Sequence, residues 1–169
     1  MSYACVRTDN MSGTVEGKNL VSLKYGKAIE NGNILAIGAF VEGEREVRTA
    51  TAPKKGTALR DLALVATPEV VKNKNYYGLG DFINEADAIV RGYRLTPRDY
   101  FSVTKEAFDE GASAQLKVGG IVEVKEDSTK LNVVASATAS TTTIGKIVAV
   151  EDEWYVIEVG EDGAMGAGE

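Results

Sequence analysis

The chain of 169 residues carries 25 acidic and 19 basic side chains, so its formal net charge is 19 − 25 = −6. A mildly acidic surface does not attract phosphate backbones, and no basic stripe reverses the charge locally, so the composition disfavours nucleic acid binding. The chain has no histidine and one cysteine, Cys5, which removes the commonest general base and metal ligand and excludes an internal disulfide or a multi-thiolate zinc site.

Residues 1–19 show no sustained hydrophobic period, and Gly13 and Gly17 interrupt them. This pattern predicts an extended N-terminal arm that orders only against a partner or against the body, with a frayed terminus as the alternative. The segment lacks the charged stretch and apolar core of a signal peptide, and no run in the chain approaches the ~18 apolar residues of a membrane helix. We therefore expect no membrane partner and synthesis in the cytoplasm.

Patterns typical of β-strands dominate from Leu20 onward. Short apolar or alternating runs predict strands within 20–26, 33–41, 46–53 and 62–68. The Asn31-Gly32 pair, a strong turn signal, precedes the second run.

The middle of the chain is less regular. The stretch of about 69–87 combines three aromatic residues, Tyr76, Tyr77 and Phe82, with two glycines, and it predicts an irregular excursion with one helical turn near 81–86. A strand is expected at 88–95 and a further alternating run at 100–104. Thr104 and Gly111 then bracket a short predicted helix.

The last third returns to strand patterns, and its final two runs are the firmest. "IGKIVAV" and "WYVIEV" alternate with apolar residues on both faces, which is typical of strands inside a small barrel or sandwich. We therefore predict a mainly β protein: a barrel or sandwich body over residues 20–160, one or two short helices, and a flexible acidic tail over 161–169.

Motifs that could carry chemistry have simpler structural explanations. Gly78-Leu79-Gly80 lacks the spacing of a dinucleotide or phosphate loop. Acidic clusters at 42–46, 126–127 and 151–153 fall between predicted strands, where carboxylates solvate turns. Lys130 lies between two short strands, as the modified lysine of lipoyl or biotinyl carrier domains does, but no Asp-Lys or Met-Lys dipeptide occupies the turn. The sequence predicts no catalytic residue, no cofactor and no metal.

The Ser/Thr-rich stretch "SATASTTT" could form a nucleophile loop, but the chain has no histidine to activate a hydroxyl. Alternating Thr and Ala fit a solvent-facing strand edge followed by a turn. If this stretch has a function, we expect it to be contact with a neighbouring molecule through Thr141, Thr142 and Thr143.

A longer set of patterns points to a family. The runs "GNILAIGAFVEGEREVRTATAP", "LALVATPEVV", "DFINEADAIVRGYRLTPRDYFSVTKEAF" and "KLNVVASATASTTTIGKIVAVEDEWYVIEV" resemble head decoration (cementing) proteins of tailed bacteriophages that infect Gram-positive bacteria. The resemblance covers most of the chain from Leu20 to Val159. It implies a β-rich body related to the β-tulip of lambda-like decoration proteins. It also implies binding to the outside of a mature capsid.

These expectations define the predicted sites. The partner is the major capsid protein of the phage head, and the chain itself could form a homo-oligomer such as a trimer. Within the arm, the predicted capsid contacts are Tyr3, Val6, Arg7 and Met11, which could add a strand to an exposed sheet edge. The alternatives are a tail-tube or head–tail connector component, and a carrier domain modified on Lys130.

Overall fold

A computed structural model describes residues 2–70 and 78–160, and these residues form eleven β-strands and six short 3₁₀ segments. The strands are β1 (Val6–Asn10), β2 (Leu20–Lys24), β3 (Ile34–Phe40), β4 (Val47–Thr51), β5 (Leu62–Val65), β6 (Ile89–Arg94), β7 (Tyr100–Thr104), β8 (Ile121–Glu123), β9 (Asn132–Val134), β10 (Thr143–Glu151) and β11 (Trp154–Val159). The 3₁₀ segments are Ser12–Thr14, Gly17–Asn19, Leu59–Asp61, Leu79–Asp81, Lys105–Ala107 and Glu110–Gln115.

Five of these strands close into a barrel in the order β2-β4-β3-β5-β6, with β6 pairing back to β2. Strands β2 and β4 run parallel, and the other neighbours in the barrel are antiparallel. A cluster of buried apolar side chains drawn from all five strands fills the interior. Its strand members are Val21, Leu23, Leu35, Ala50, Ala63, Val65 and Val90.

The other strands form an antiparallel sheet in the order β1-β7-β11-β10-β8-β9. A second and larger core lies between this sheet and one side of the barrel. Sheet residues such as Phe101, Ile147 and Ile157 share it with the barrel residues Leu62 and Leu64. Barrel and sheet are therefore joined through a common apolar layer.

The position of strand β5 between two apolar cores explains why its sequence is apolar without interruption. Ala63 and Val65 belong to the barrel interior, whereas Leu62 and Leu64 belong to the layer shared with the sheet. All four side chains are buried, because successive residues of a strand face opposite sides and both sides are covered here. The run "LALV" is thus typical of a strand between two cores.

The predicted fold class is confirmed: the structure is mainly β, with a closed barrel and an additional sheet. The helical segments differ from the prediction in detail. The helix expected between Thr104 and Gly111 is instead two 3₁₀ segments, Lys105–Ala107 and Glu110–Gln115, and the helical turn expected near 81–86 lies at Leu79–Asp81. Relation to a β-tulip remains a prediction.

The N-terminal residues lie against the body. Val6–Asn10 form strand β1, which pairs with β7. Ala4 and Met11, on either side of this strand, are 1% and 2% exposed and belong to the core shared by barrel and sheet. Of the two possibilities left open for an arm, ordering on a partner or on the body, the structure has the second. The sheet therefore extends beyond the body boundary predicted at residue 20.

Strand β10 also departs from simple alternation. Its register shifts against β8 between Thr143 and Gly145, and against β11 between Ile147 and Ala149. Such bulges put two residues of one strand opposite one residue of its neighbour. Simple alternation would put Ile144 and Ile147 on opposite faces, yet both are fully buried in the same core.

Two predicted features fall outside the described residues in whole or in part. The acidic tail at 161–169 lies outside them, as do Tyr76 and Tyr77 of the predicted excursion at 69–87. The described part of that excursion is anchored at Asn84, which forms an isolated antiparallel β-bridge with Ile29. The Asn84 side chain donates to the backbone carbonyl of Ile29 and to the side-chain oxygen of Asn31.

Candidate interaction surfaces

The predicted capsid contacts do not form one exposed row. Tyr3 is half-buried and donates its backbone N–H to the carbonyl of Gly80 over 2.7 Å. Val6 is half-buried and packs against the shared core. Met11 is 2% exposed and cannot contact a partner while the chain is folded. Met11 as a capsid anchor is therefore corrected to a core residue, because burial of its side chain holds the end of β1 to the body.

Arg7 is the exposed member of this group. Its guanidinium carbon lies 3.8 Å from the centroid of the Trp154 ring at the start of β11. Trp154 is 7% exposed, and the guanidinium lies over its ring. Cation–π stacking of this kind leaves the N–H groups of the guanidinium available for a partner.

Strand β1 is one edge of the sheet. Among the described strands, none pairs with the side of β1 that faces away from β7. An unpaired strand edge is a template for pairing with another chain. The strand is short, and its register shifts between Arg7 and Asn10, so only a brief segment could pair with it.

The three predicted neighbour-contact threonines lie where loop and sheet meet. Thr143 is 2% exposed as the first residue of β10, so it is corrected to a buried structural residue. The hydroxyl of Thr142 donates to the backbone carbonyl of Thr57, which ties this loop to the loop before β5. Thr141 and Thr142 are half-buried and line a cleft of about 420 Å³. The other residues lining it are Gly56, Ala58, Leu59, Arg60 and Ser140.

A buried carboxylate organises the Ser/Thr-rich loop. Glu123, the last residue of β8, is 3% exposed. Its carboxylate accepts hydrogen bonds from the amide of Asn132 at 3.1 Å and from the backbone N–H and hydroxyl of Thr138 at 3.0 and 2.9 Å. The sequence pattern does not single out Glu123, because this residue lies within the run "IVEV", which is typical of a strand. The available signal was an acidic residue inside that run, which needs partners if it is buried.

A second cleft of about 360 Å³ lies between the N-terminal segment and the 3₁₀ segments that follow β7. Tyr3, Glu30, Glu106, Phe108 and Lys130 are among the residues that line it. The Lys130 ammonium donates to the carbonyl of Glu106 over 2.9 Å and lies 3.7 Å from the carboxylate of Glu30. It is thus held inside the cleft, whereas the lysine of a carrier domain must project from a turn.

Three ionisable groups in the described residues have shifted pKa values. The pKa of Asp109 is lowered, chiefly by the hydrogen bond from Lys125 at 2.9 Å. The pKa of Tyr100 is raised, chiefly by the hydrogen bond of its phenol to Glu158. The pKa of the Cys5 thiol is raised, mainly by burial and then by the acidic residues around it, so the reactive thiolate is disfavoured.

Across 2–70 and 78–160, no group of three or more His, Cys, Asp or Glu side chains is placed to hold a metal ion. No helix in that part of the chain is long and apolar enough to cross a membrane. Comparisons with protein-family models, with curated proteins and with solved structures found no match to this chain.

Proposed function

We propose that this chain is a virion structural protein that binds the outer surface of an assembled phage capsid and stabilises the lattice. The observation that carries the proposal is the unpaired edge of β1, flanked by the exposed Arg7. The mainly β body and the sequence resemblance to head decoration proteins support it. The protein is made in the bacterial cytoplasm and resides on the capsid exterior.

Binding through β1 does not require the arm to leave the body. An extended segment of the major capsid protein pairs with the free side of β1 and gains main-chain hydrogen bonds. Arg7 then contributes N–H donors to carboxylates or carbonyls of that segment. Tyr3, which lines the neighbouring cleft, makes a second contact with the same capsid segment. The proposed contact surface is therefore the free side of β1 together with the exposed Arg7, with the half-buried Tyr3 next to it.

Sedimentation with capsids tests this proposal. Purified protein is mixed with expanded phage capsids or with unassembled major capsid protein, and the mixture is pelleted. We expect co-sedimentation with expanded capsids only. If no protein pellets with expanded capsids, the proposed function is wrong.

An Arg7→Glu variant then tests the surface. We expect it to bind capsids at least tenfold more weakly, because a hot-spot contact of about 1.4 kcal/mol or more is lost. The matched control is Arg91→Glu, the same change at an exposed position of β6 on the barrel. Equal binding by the two variants would reject β1 as the contact edge while leaving capsid binding intact. Deleting residues 1–14 is unsuitable, because it removes the buried Ala4 and Met11.

One observation favours a second function, a tail-tube or connector component. Strands β1 and β9 stand at opposite ends of the sheet, so copies could pair edge to edge into a ring. This alternative predicts a large ring from the purified protein alone, measured by size-exclusion chromatography with light scattering. A decoration protein gives a monomer or small oligomer in the same measurement.

A further inference from the structure

The cleft lined by Thr141 and Thr142 carries positive charge at its rim; we call it the basic cleft. Arg60 lines it, and the side chain of this arginine is 88% exposed. Lys54 and Lys55, both exposed, precede the lining residue Gly56 on the adjoining turn. Their charges are available to a ligand of the cleft.

Three acidic groups lie near this rim, namely Asp61, Asp127 and the exposed Glu126 beside Asp127. Asp61 is 4.0 Å from the Arg60 guanidinium, at the limit of an ion pair, and both side chains are largely exposed. Asp127 donates its backbone N–H to the carbonyl of Pro53, next to Lys54. Arg94 adds a fourth cation, because its guanidinium donates to the backbone carbonyl of Arg60 over 3.3 Å. Four cations against three carboxylates leave the rim positive, and the exposed pair of Arg60 and Asp61 at 4.0 Å leaves the Arg60 guanidinium free to bind another anion. The basic cleft therefore suits a carboxylate-rich ligand.

Such a ligand exists on the same chain. The turn between β10 and β11 consists of Glu151, Asp152 and Glu153, all exposed; we call it the acidic tip. The turn contains no basic residue, unlike the acidic stretch at 42–46, which includes Arg45. Two cations lie near its base: Arg7, whose guanidinium stacks on Trp154, and Lys105, which follows the Thr104 that pairs with Trp154. The acidic tip thus presents three consecutive carboxylates at the end of a hairpin.

The two features cannot meet within one molecule. Thr142 of the basic cleft immediately precedes β10, and the acidic tip follows its other end. At about 3.3 Å per residue, the nine-residue strand separates them by ~30 Å. Contact between them therefore requires two copies. Since different surfaces of the two copies meet, the contact is head-to-tail and generates a ring or a row.

We propose that the acidic tip of one copy docks in the basic cleft of the next. Arg60 binds a carboxylate of Glu151 or Glu153 through two parallel N–H donors, and Lys54 and Lys55 neutralise the remaining charge. The hydroxyls of Ser140 and Thr141 donate to the same carboxylates. The Thr142 hydroxyl is already used by Thr57, and this bond fixes the wall of the cleft.

The contact is small, so its affinity in dilute solution is low. We expect a Kd on the order of 0.1 mM at low ionic strength, weakening several-fold between ~50 and ~500 mM salt because exposed charges are screened. On a repetitive surface the same contact becomes effective, because neighbouring copies are held at high local concentration. The inference does not depend on capsid binding, because its test uses this chain alone.

The experiment is sedimentation velocity of the purified full chain over a concentration series at both salt levels. The cleft variant is Lys54→Glu/Lys55→Glu/Arg60→Glu. The tip variant is Glu151→Lys/Glu153→Lys, which retains Asp152 because its positive φ of 53° suits aspartate. We expect wild-type protein to associate at low salt, and each variant alone to associate at least tenfold more weakly.

A mixture of the cleft variant and the tip variant tests whether the acidic tip of one copy docks in the basic cleft of another. The acidic cleft of one accepts the basic tip of the other, so an equimolar mixture should associate again at low salt. The control is Glu42→Lys/Glu44→Lys, which changes the net charge as much as the tip variant does but at a different turn. It should associate at least as well as wild type. A wild-type chain that stays monomeric, or a mixture without rescue, overturns the proposal.

Discussion

The Arg7 guanidinium stacks at 3.8 Å on the centroid of the Trp154 ring and thereby joins the edge strand β1 to the hairpin of β10 and β11. The Trp154 side chain is 7% exposed, so the ring lies between the buried side of the sheet and the solvent. Arg7 and Trp154 are far apart in the sequence, so no local pattern signals this contact. The stack fixes the position of β1 next to the acidic tip.

Replacing Arg7 tests the energetic value of this stack. We expect Arg7→Ala to lower the free energy of unfolding by about 0.5–1 kcal/mol, because it removes a cation–π contact and the aliphatic stem that covers the ring. Trp154 is the one tryptophan of the chain, so its fluorescence should shift to longer wavelength in the folded variant. Urea unfolding followed by that emission measures both effects. An unchanged spectrum would contradict the stack, and Arg91→Ala serves as the matched control.

A glycine between two strands of the sheet is a second test. Gly145 pairs with Val122 of β8 on one side and with Val159 of β11 on the other. A methyl group added there would overlap the backbone carbonyl of Glu158, which cannot rotate away as a side chain can. We therefore expect Gly145→Ala to cost about 3 kcal/mol or more, or to prevent folding.

The control for this change is Gly17→Ala, where an added methyl group meets nothing within 4 Å. It should alter stability by no more than about 0.5 kcal/mol. Thermal unfolding of both variants gives the comparison. Similar melting temperatures for the two would show that β10 is not held between β8 and β11 in this register.

The parts of the fold that the sequence predicted are those with local signals. The uninterrupted apolar run of β5 predicts a strand whatever it pairs with, and the "EDE" turn between two alternating runs predicts the hairpin of β10 and β11. Strand β1 has no such signal. Its residues "VRTDN" are mostly polar, because an edge strand is held by backbone hydrogen bonds and by the buried residues at its ends.

In the candidate surfaces, too, only the features with a local sequence signal were predicted. Thr141 and Thr142 were predicted as neighbour contacts from composition alone, and that role remains a prediction. Arg60, which shares their cleft, could not be assigned to it, because strand register and barrel closure bring the two loops together. The register of β10 against β8 shifts between Thr143 and Gly145, and such a bulge leaves no clear mark in the residues from which it could be predicted.

Glu123 gives a prediction about the Ser/Thr-rich loop. Its buried carboxylate accepts three hydrogen bonds, two of them from Thr138. In Glu123→Gln an amide N–H₂ replaces one acceptor oxygen and faces a donor, so we expect a loss of about 2 kcal/mol. Hydrogen exchange of residues 136–142 should accelerate in the variant.

The exposed Glu126 provides the control for this change. Glu126→Gln should leave both the melting temperature and the exchange of residues 136–142 unchanged. If Glu123→Gln behaves like this control, the loop is held by something other than the carboxylate. The basic cleft would then keep its shape in both variants.

The ionisation of Asp109 predicts how the stability of the fold changes at acidic pH. Its pKa is lowered, first by the hydrogen bond from Lys125 and also by the backbone N–H of Gly111. A carboxylate with a lowered folded-state pKa stabilises the fold above its unfolded pKa of about 3.9, and this contribution is lost as the pH falls through the folded pKa. Asp109→Asn should therefore be less stable than wild type at pH 6. The difference should disappear well below pH 4, after the carboxyl of the folded protein has also been protonated.

The expected difference at pH 6 is about 0.5 kcal/mol, because the Lys125 side chain is 49% exposed and solvent screens the pair. Urea unfolding at pH 6 and at about pH 2.5 measures it. Lys125→Met, which removes the cation and keeps the aliphatic stem, should reproduce most of the loss at pH 6. A difference between Asp109→Asn and wild type that is the same at both pH values would mean that the side chain acts through its shape and not through its charge.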